Sequence, residues 1–269
     1  MAKRWTEAEE NLFRSELNNL YVNENKSIGE ISLILKLSES SVYDRLVRLN
    51  IPTNRSAKAG YNKQRRDIKI PNLYSENLAE FFGILIGDGH ISHYQTVVTL
   101  GTKERSYVNY VAKLMNRIFQ VPAHISVRKN GYTDVYIGSV FLTTWLRQEG
   151  LVSNKVKSQV RVPIWMFSND TYMKRFIRGF FDTDGSVYKL RYGIQISFCN
   201  YSVPILKALQ QMLLKLGYTP SSIGSKNLYL TKKLELQRFF KEIQPKNTKH
   251  LERYKKFCVG SPVGSGSGL

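Results

Sequence analysis

Only two cysteines, Cys199 and Cys258, occur in 269 residues. That is too few for a disulfide framework or a Cys-based zinc site, so both read as ordinary thiols. The four histidines show no metal-ligand spacing. No apolar run reaches the length of a membrane span. The opening Met-Ala-Lys-Arg-Trp-Thr lacks the apolar core of a signal peptide. No basic helix with a clean apolar face suggests a membrane surface. The expectation is a soluble intracellular protein without a membrane partner, in the cytoplasm or an organelle. Acidic residues are also scarce, 21 against 40 lysines and arginines.

The resulting formal charge of +19 and pI near 9.8 call for a polyanionic partner, and nucleic acid is the first candidate. With 42% apolar residues the chain can still build a real core, which excludes a disordered polycation. Its length accommodates one large domain or two to three small ones.

Two short stretches organise the rest. Phe81-Phe82-Gly83-Ile84-Leu85-Ile86-Gly87-Asp88-Gly89 aligns without a gap on Ile177-Arg178-Gly179-Phe180-Phe181-Asp182-Thr183-Asp184-Gly185. Each reads as the end of an apolar helix with its last glycine at C′, where a left-handed backbone is easiest. A carboxylate at a helix C-terminus is disfavoured unless a cation compensates it. Two such ends suggest two carboxylates gathered around metal. Small residues at Gly83, Gly87, Gly179 and Thr183 would let the helices cross closely and bring Asp88 near Asp184.

Around these stretches the order α-β-β-α-β-β-α is expected twice, with an Asn130-Gly131 hairpin in the first copy. The predicted fold is α+β: a pseudo-two-fold pair of αββαββα units preceded by a small three-helix domain. Expected boundaries are 1–53 for the three-helix domain, 54–72 for a basic linker and 73–155 for the first half. A linker at 156–171, the second half at 172–259 and a flexible or cloning-derived tail at 260–269 follow. In the first domain Thr6 and Glu9 form a capping box, Leu12, Leu17 and Leu20 an apolar stripe, and Ile28, Ile31, Ile34 and Leu35 mark a second helix. Ser38 caps a third, with Val42, Leu46 and Leu49 inward.

Both nine-residue stretches resemble the LAGLIDADG motif of homing endonucleases in its single-chain, two-motif form, from about Leu78 to about Lys249. The resemblance implies a DNA-binding saddle and a monomeric, metal-dependent endonuclease cutting both strands of a long pseudo-palindromic target, with short 3′ overhangs. It makes Asp88 and Asp184 catalytic metal ligands, with the carbonyls of Gly87 and Thr183 as secondary ligands. Lys155 and Lys246 (or Lys249) stand where the family places basic catalytic residues. Thr102 and Asn200 stand where it orders water. Asp182, opposite Ile86, reads as structural. Mg²⁺ is the expected ion, with Mn²⁺ substituting and Ca²⁺ supporting binding alone. Residues 1–51 are similar to Myb/helix-turn-helix domains, which would offer Ser40, Ser41, Asp44, Arg45 and Arg48 to flanking double-stranded DNA. Arg55, Lys58, Lys63, Arg65 and Arg66 would follow phosphates.

Strand alternation places Ile125 and Val127 toward the core and His124, Ser126 and Arg128 outward, with Lys129 in the adjoining turn. It likewise puts Gln195 and Ser197 outward, and Lys189, Arg191, Tyr229, Thr231 and Lys233 on comparable faces, as DNA contacts. Two other functions remain open: a maturase binding its own intron RNA, and a non-catalytic transcriptional regulator. An intein would be expected to open on a nucleophile and close on His-Asn, which this sequence does not do.

Overall fold

A computed structural model of the chain describes residues 6–51, 53, 68–151, 160–191 and 193–259. Arg55, Lys58, Lys63, Arg65, Arg66 and Lys155 lie outside the described residues. The chain divides into two compact units, Met1–Gln64 and Arg65–Leu269.

In the first unit α1 (Glu7–Asn18) starts at Thr6, whose hydroxyl accepts the Glu9 N–H while Glu9 accepts that of Thr6. Ser27 and Glu30 repeat this capping box at α2 (Ile28–Leu35). Ser38 caps α3 (Glu39–Arg48). Leu17, Leu20, Tyr21, Ile31, Val42, Leu46, Leu49 and Ile51 make the core. Leu12, expected in the stripe, is instead 70% exposed. At 3.6 residues per turn it lies about 140° round the helix from Leu17. Ile34 is also exposed.

The second unit opens earlier than expected: Ile68 is buried and the Lys69 N–H donates to Phe119 O at 3.0 Å. Its first half runs α4 (Glu76–Asp88), β1 (Gly89–Ile91), β2 (Gln95–Gly101), α5 (Arg105–Phe119), β3 (His124–Val127), β4 (Tyr132–Gly138) and α6 (Val140–Gln148). These strands form an antiparallel sheet in the order β1-β2-β4-β3. Gly131, at φ +83°, makes the expected hairpin turn. The connection into the second half is not all linker. Val160, Val162, Trp165 and Met166 are buried, and Trp165 stacks on Tyr74 at 4.2 Å.

The second half runs α7 (Asp170–Asp184), β5 (Gly185–Leu190), β6 (Gly193–Cys199), α8 (Val203–Lys215), β7 (Asn227–Leu230), α9 (Lys233–Glu242) and α10 (Thr248–Val259). Its sheet has only three strands among the described residues, β5-β6-β7. The strand expected at 219–225 is reduced to a Gly224–Asn227 bridge. Pro220 has no N–H to offer a ladder, and the Tyr229 N–H donates to the Ser221 hydroxyl rather than to a main-chain carbonyl. Helix α10 was not anticipated, because its lysines and arginines obscure the apolar face.

One apolar core runs through both halves. Among the described residues no helix is long and apolar enough to cross a membrane.

Candidate metal and nucleic-acid site

Helices α4 and α7 carry the two motifs, and glycine lets them touch main chain to main chain. A Cβ on Gly83 would stand 2.2 Å from Phe176 O, and one on Gly179 would stand 2.1 Å from Glu80 O. Four residues on, a Cβ on Gly87 would stand 2.0 Å from Thr183 Oγ1 and 3.5 Å from Asp184 Cγ. The two helix ends therefore converge, with Asp88 next to Gly87 on one and Asp184 on the other, both half-buried.

The closing glycines are there for a different reason from the one expected. Gly89 (φ −85°, ψ 155°) and Gly185 (φ −90°, ψ 160°) are extended, not left-handed. A Cβ there would lie 2.4 Å from Leu85 O and 2.3 Å from Phe181 O respectively. Each chain passes straight from helix into strand, and only a residue without a side chain fits that corner.

The surroundings of the two aspartates differ. Asn200 Nδ2 donates to Asp184 Oδ2 at 2.9 Å. Thr102, its counterpart, donates its N–H to Gly131 O and accepts from Thr133 Oγ1 at 3.4 Å. Asp182, fully buried, accepts the N–H groups of Lys246 (2.9 Å to Oδ2) and Asn247 (3.1 Å to Oδ1). Asn247 Nδ2 donates back to the Asp182 carbonyl at 3.0 Å. Burial pushes the Asp182 carboxyl up to about 7 against these hydrogen bonds. His250, packed on the Phe181 ring, is held down at about 3 by burial and by the neighbouring Lys249 charge. Lys246 is thus fixed by its main chain with an exposed side chain, while Lys249 Nζ pairs with Glu104 at 2.9 Å.

A buried polar pair in the helix crossing escaped the sequence reading. Arg178 Nη1 reaches Glu80 Oε2 at 3.3 Å and its Nε donates to Ile243 O at 2.7 Å, while Tyr110 donates its hydroxyl to Glu80. The signal was available: two charged residues interrupt otherwise apolar helix faces. Tyr107, beneath this pair, is fully buried with no hydrogen-bond partner for its hydroxyl, and burial raises its pKa.

The donors available to a cation are all oxygens: the Asp88 and Asp184 carboxylates and the last-turn carbonyls of Gly87 and Thr183. That set fits a hard divalent ion whose shell phosphate oxygens complete. Protein side chains alone do not close it, since no group of three or more His, Cys, Asp or Glu is placed to hold a metal among the described residues.

The open face of the first sheet carries Val97, Thr99, Asp134, Tyr136, His124 and Ser126. There Arg128 Nε donates to Asp134 Oδ2 at 2.6 Å, so this expected DNA contact is already paired. Ile125 and Val127 share a face with buried Val135 and Thr133 but are 46% and 67% exposed, because β3 is the sheet edge. Lys129 is exposed in the turn. In the second sheet Gln195, Ser197 and Tyr229 do share the open face, with Ser197 buried within it. Lys189 does not. It lies opposite Ile194 and so on the face of Ile196 and Phe198, while Ser186 and Tyr188 stand beside Ser197 and Gln195. Arg191 is in the exposed turn, Thr231 lies past the end of β7, and Lys233 is the first residue of α9 rather than a strand position.

On α3, Ser40 and Asp44 are exposed, as are Tyr43 and Val47. Ser41 is drawn into the cap with Ser38, Arg45 Nη1 folds back on Ser41 O at 3.1 Å, and Arg48 pairs with Glu10 at 2.6 Å.

Residues 171–244 match the family model of the LAGLIDADG-like domain, a stretch that takes in Asp184 and all of α7 but its first residue. The replication factor C small subunit of Methanocaldococcus jannaschii is 30% identical over 118 residues, 43% of this chain and 6% of that protein. Glutamine–fructose-6-phosphate aminotransferase of the same organism is 26% identical over 156 residues, 57% of this chain and 14% of that protein. The chain therefore spans less than a sixth of either relative. Among solved structures, the homing endonuclease I-WcaI bound to its DNA recognition sequence aligns with TM-score 0.47 and 13% identity, over 76% of this chain and 96% of that one. Full-length DUF199/WhiA from Thermatoga maritima aligns with TM-score 0.47 and 16% identity, over 72% and 65%.

Proposed function

We propose that this LAGLIDADG-like protein is a site-specific, divalent-metal-dependent endonuclease acting on double-stranded DNA. The observation that carries the reading is the convergence of two helix C-termini. Asp184 Cγ lies 3.5 Å from the place a Gly87 side chain would begin, with Asp88 the next residue. Helix C-termini disfavour carboxylates, so this placement makes sense where positive charge joins them. The two relatives bear unlike names and share with this chain only 6% and 14% of their own length, so neither name is taken as its activity.

A bound divalent ion, Mg²⁺ in this reading, would neutralise charge on the scissile phosphate and acidify a water. The chain's own residues prepare that place. Asp88 and Asp184 supply anionic oxygens, one from each half, and Gly87 keeps the helices close enough for one site to hold both. Asn200 fixes the Asp184 carboxylate through its Oδ2. Lys246, anchored by its main chain, holds a cation beside the second half's scissile phosphate. Gln195, Tyr188 and Tyr229 on one open face, and Thr99, His124 and Tyr136 on the other, face base edges. Residues 1–51, read as a helix-turn-helix unit, extend the contact to flanking DNA through Ser40, Asp44 and the exposed Tyr43 and Val47. Mn²⁺ substitutes for Mg²⁺, and Ca²⁺ supports binding alone.

The test is cleavage of a randomised duplex library with Mg²⁺ by the parent and by an Asp88→Asn/Asp184→Asn variant, with Ca²⁺ binding measured on both. The expected result is one long sequence cut on both strands by the parent only, with a loss of at least about 10³-fold in the variant and binding retained. Selective binding without cleavage would make the protein a regulator. Tight binding to structured intron RNA without either would make it a maturase.

A further inference from the structure

Helix α10 lies beyond the stretch that matches the family model, which ends at residue 244. Its inner face is His250, Tyr254 and Phe257. His250 is fully buried, Tyr254 stacks on Phe240 at 4.0 Å, and Phe257 packs on the core. Lys249, Arg253 and Lys256 follow one another at i, i+4 and i+7, forming one basic stripe about 10 Å long beside that face. Arg253 and Lys256 are exposed and make no ion pair with a described residue. Glu252 borders the stripe, and Lys255 points to the far side of the helix.

The stripe is also held in register with the site. Asp182, two residues before Asp184, binds the Lys246 and Asn247 N–H groups at the start of α10, and His250 Nε2 lies 3.4 Å from the Asp182 carbonyl. Lys249, where the stripe begins, is tied to Glu104 of the first half. A rigid row of cations anchored to Asp182, two residues from the Asp184 carboxylate, suits a partner whose negative charges recur regularly from that point.

We propose that α10 is a phosphate-backbone arm: Arg253 and Lys256 contact successive phosphates of duplex DNA leading away from the Asp184 side of the site. This rests on the reading of the protein as DNA-binding, and its contacts carry no base specificity. Each phosphate neutralised adds about 0.9 to the steepness with which log K falls against log salt on B-DNA.

The experiment measures binding of the full chain to a mixed-sequence duplex with Ca²⁺ across a salt series. An Arg253→Gln/Lys256→Gln variant is compared with a Lys255→Gln control, each checked for unchanged thermal unfolding. The expected result is a slope shallower than the parent's by about 2 in the double variant and unchanged in the control, with the cleavage position unaltered. A double variant with the parent's slope overturns the inference and leaves the endonuclease reading standing. An equal loss in the control also overturns it, because the effect would then be general charge. A parent that binds no duplex overturns both.

Discussion

The two halves of the larger unit are built from one plan, and the places where they part company show what each position does. Glycine at the crossing is common to both, Gly83 and Gly179, because main chain meets main chain from either side. Three residues later the plan splits: the first half has Ile86, an ordinary buried apolar residue, and the second has Asp182. The carboxylate is a bracket for the chain at 246–250. Next, Gly87 faces Thr183, whose hydroxyl occupies the space that a side chain on Gly87 would need. A strict two-fold would put two glycines or a clash there. The site is therefore asymmetric before any ligand arrives. One carboxylate is steadied by Asn200, and one half carries an extra bracketed helix.

Breaking the shared part should cost most. Gly83→Ala and Gly179→Ala are each expected to destabilise the larger unit by about 4 kcal/mol, since carbonyl and amide atoms rather than yielding side chains stand in the way. Urea unfolding checks this, and a cost under about 1 kcal/mol at either glycine would mean the crossing is loose. Breaking the unshared part should cost less and only on one side. Asp182→Leu leaves the Lys246 and Asn247 N–H groups buried without an acceptor, for a loss of roughly 3 kcal/mol. Ile86→Val, its counterpart, should lose about 1 kcal/mol. Equal losses would remove the special standing of Asp182.

A pair of opposed pH slopes sharpens the comparison further. The Asp182 carboxyl is raised from 3.8 to about 7, so its contribution is full below pH 3.8 and is lost as pH rises to 7. His250 is lowered from 6.5 to about 3, so its contribution is present above 6.5 and lost as pH falls toward 3. Between pH 6.5 and 5 the two nearly cancel, each amounting to roughly 1–2 kcal/mol. Unfolding free energies of Asp182→Asn should fall on acidification relative to the parent, and those of His250→Phe should rise. Parallel slopes in all three proteins would show that neither group titrates as its burial implies.

Much of this arrangement was legible in the sequence, for identifiable reasons. The paired nine-residue stretches, the Thr6 and Ser38 caps and the Asn130-Gly131 turn rest on spacing and local chemistry, which survive folding. The small-residue spacing also announced the close crossing. What local pattern could not supply was context. Alternation put Ile125 and Val127 on the correct face, but not at a sheet edge that the helices fail to cover. It misassigned Lys189, because register is set by a partner strand that the sequence does not pair. The left-handed backbone expected at Gly89 and Gly185 followed from the usual reason for glycine after a helix. The actual reason, a corner too tight for any Cβ, appears only when the strand is seen to begin at the glycine itself. Helix α10 was hidden by its own charge.

The crossing of α4 and α7 has a consequence for how such a chain can change. At Gly83 and Gly179 the closest contact is with backbone atoms of the facing helix, and the Arg178–Glu80 and Arg175–Glu76 pairs join the helices as well. The crossing places few demands on the sheets hung from either helix. Substitutions that remodel one open face leave the glycine contacts between the halves untouched, so the two faces can change independently of each other. A joint whose closest points are main chain lets the surfaces beside it vary without loosening it.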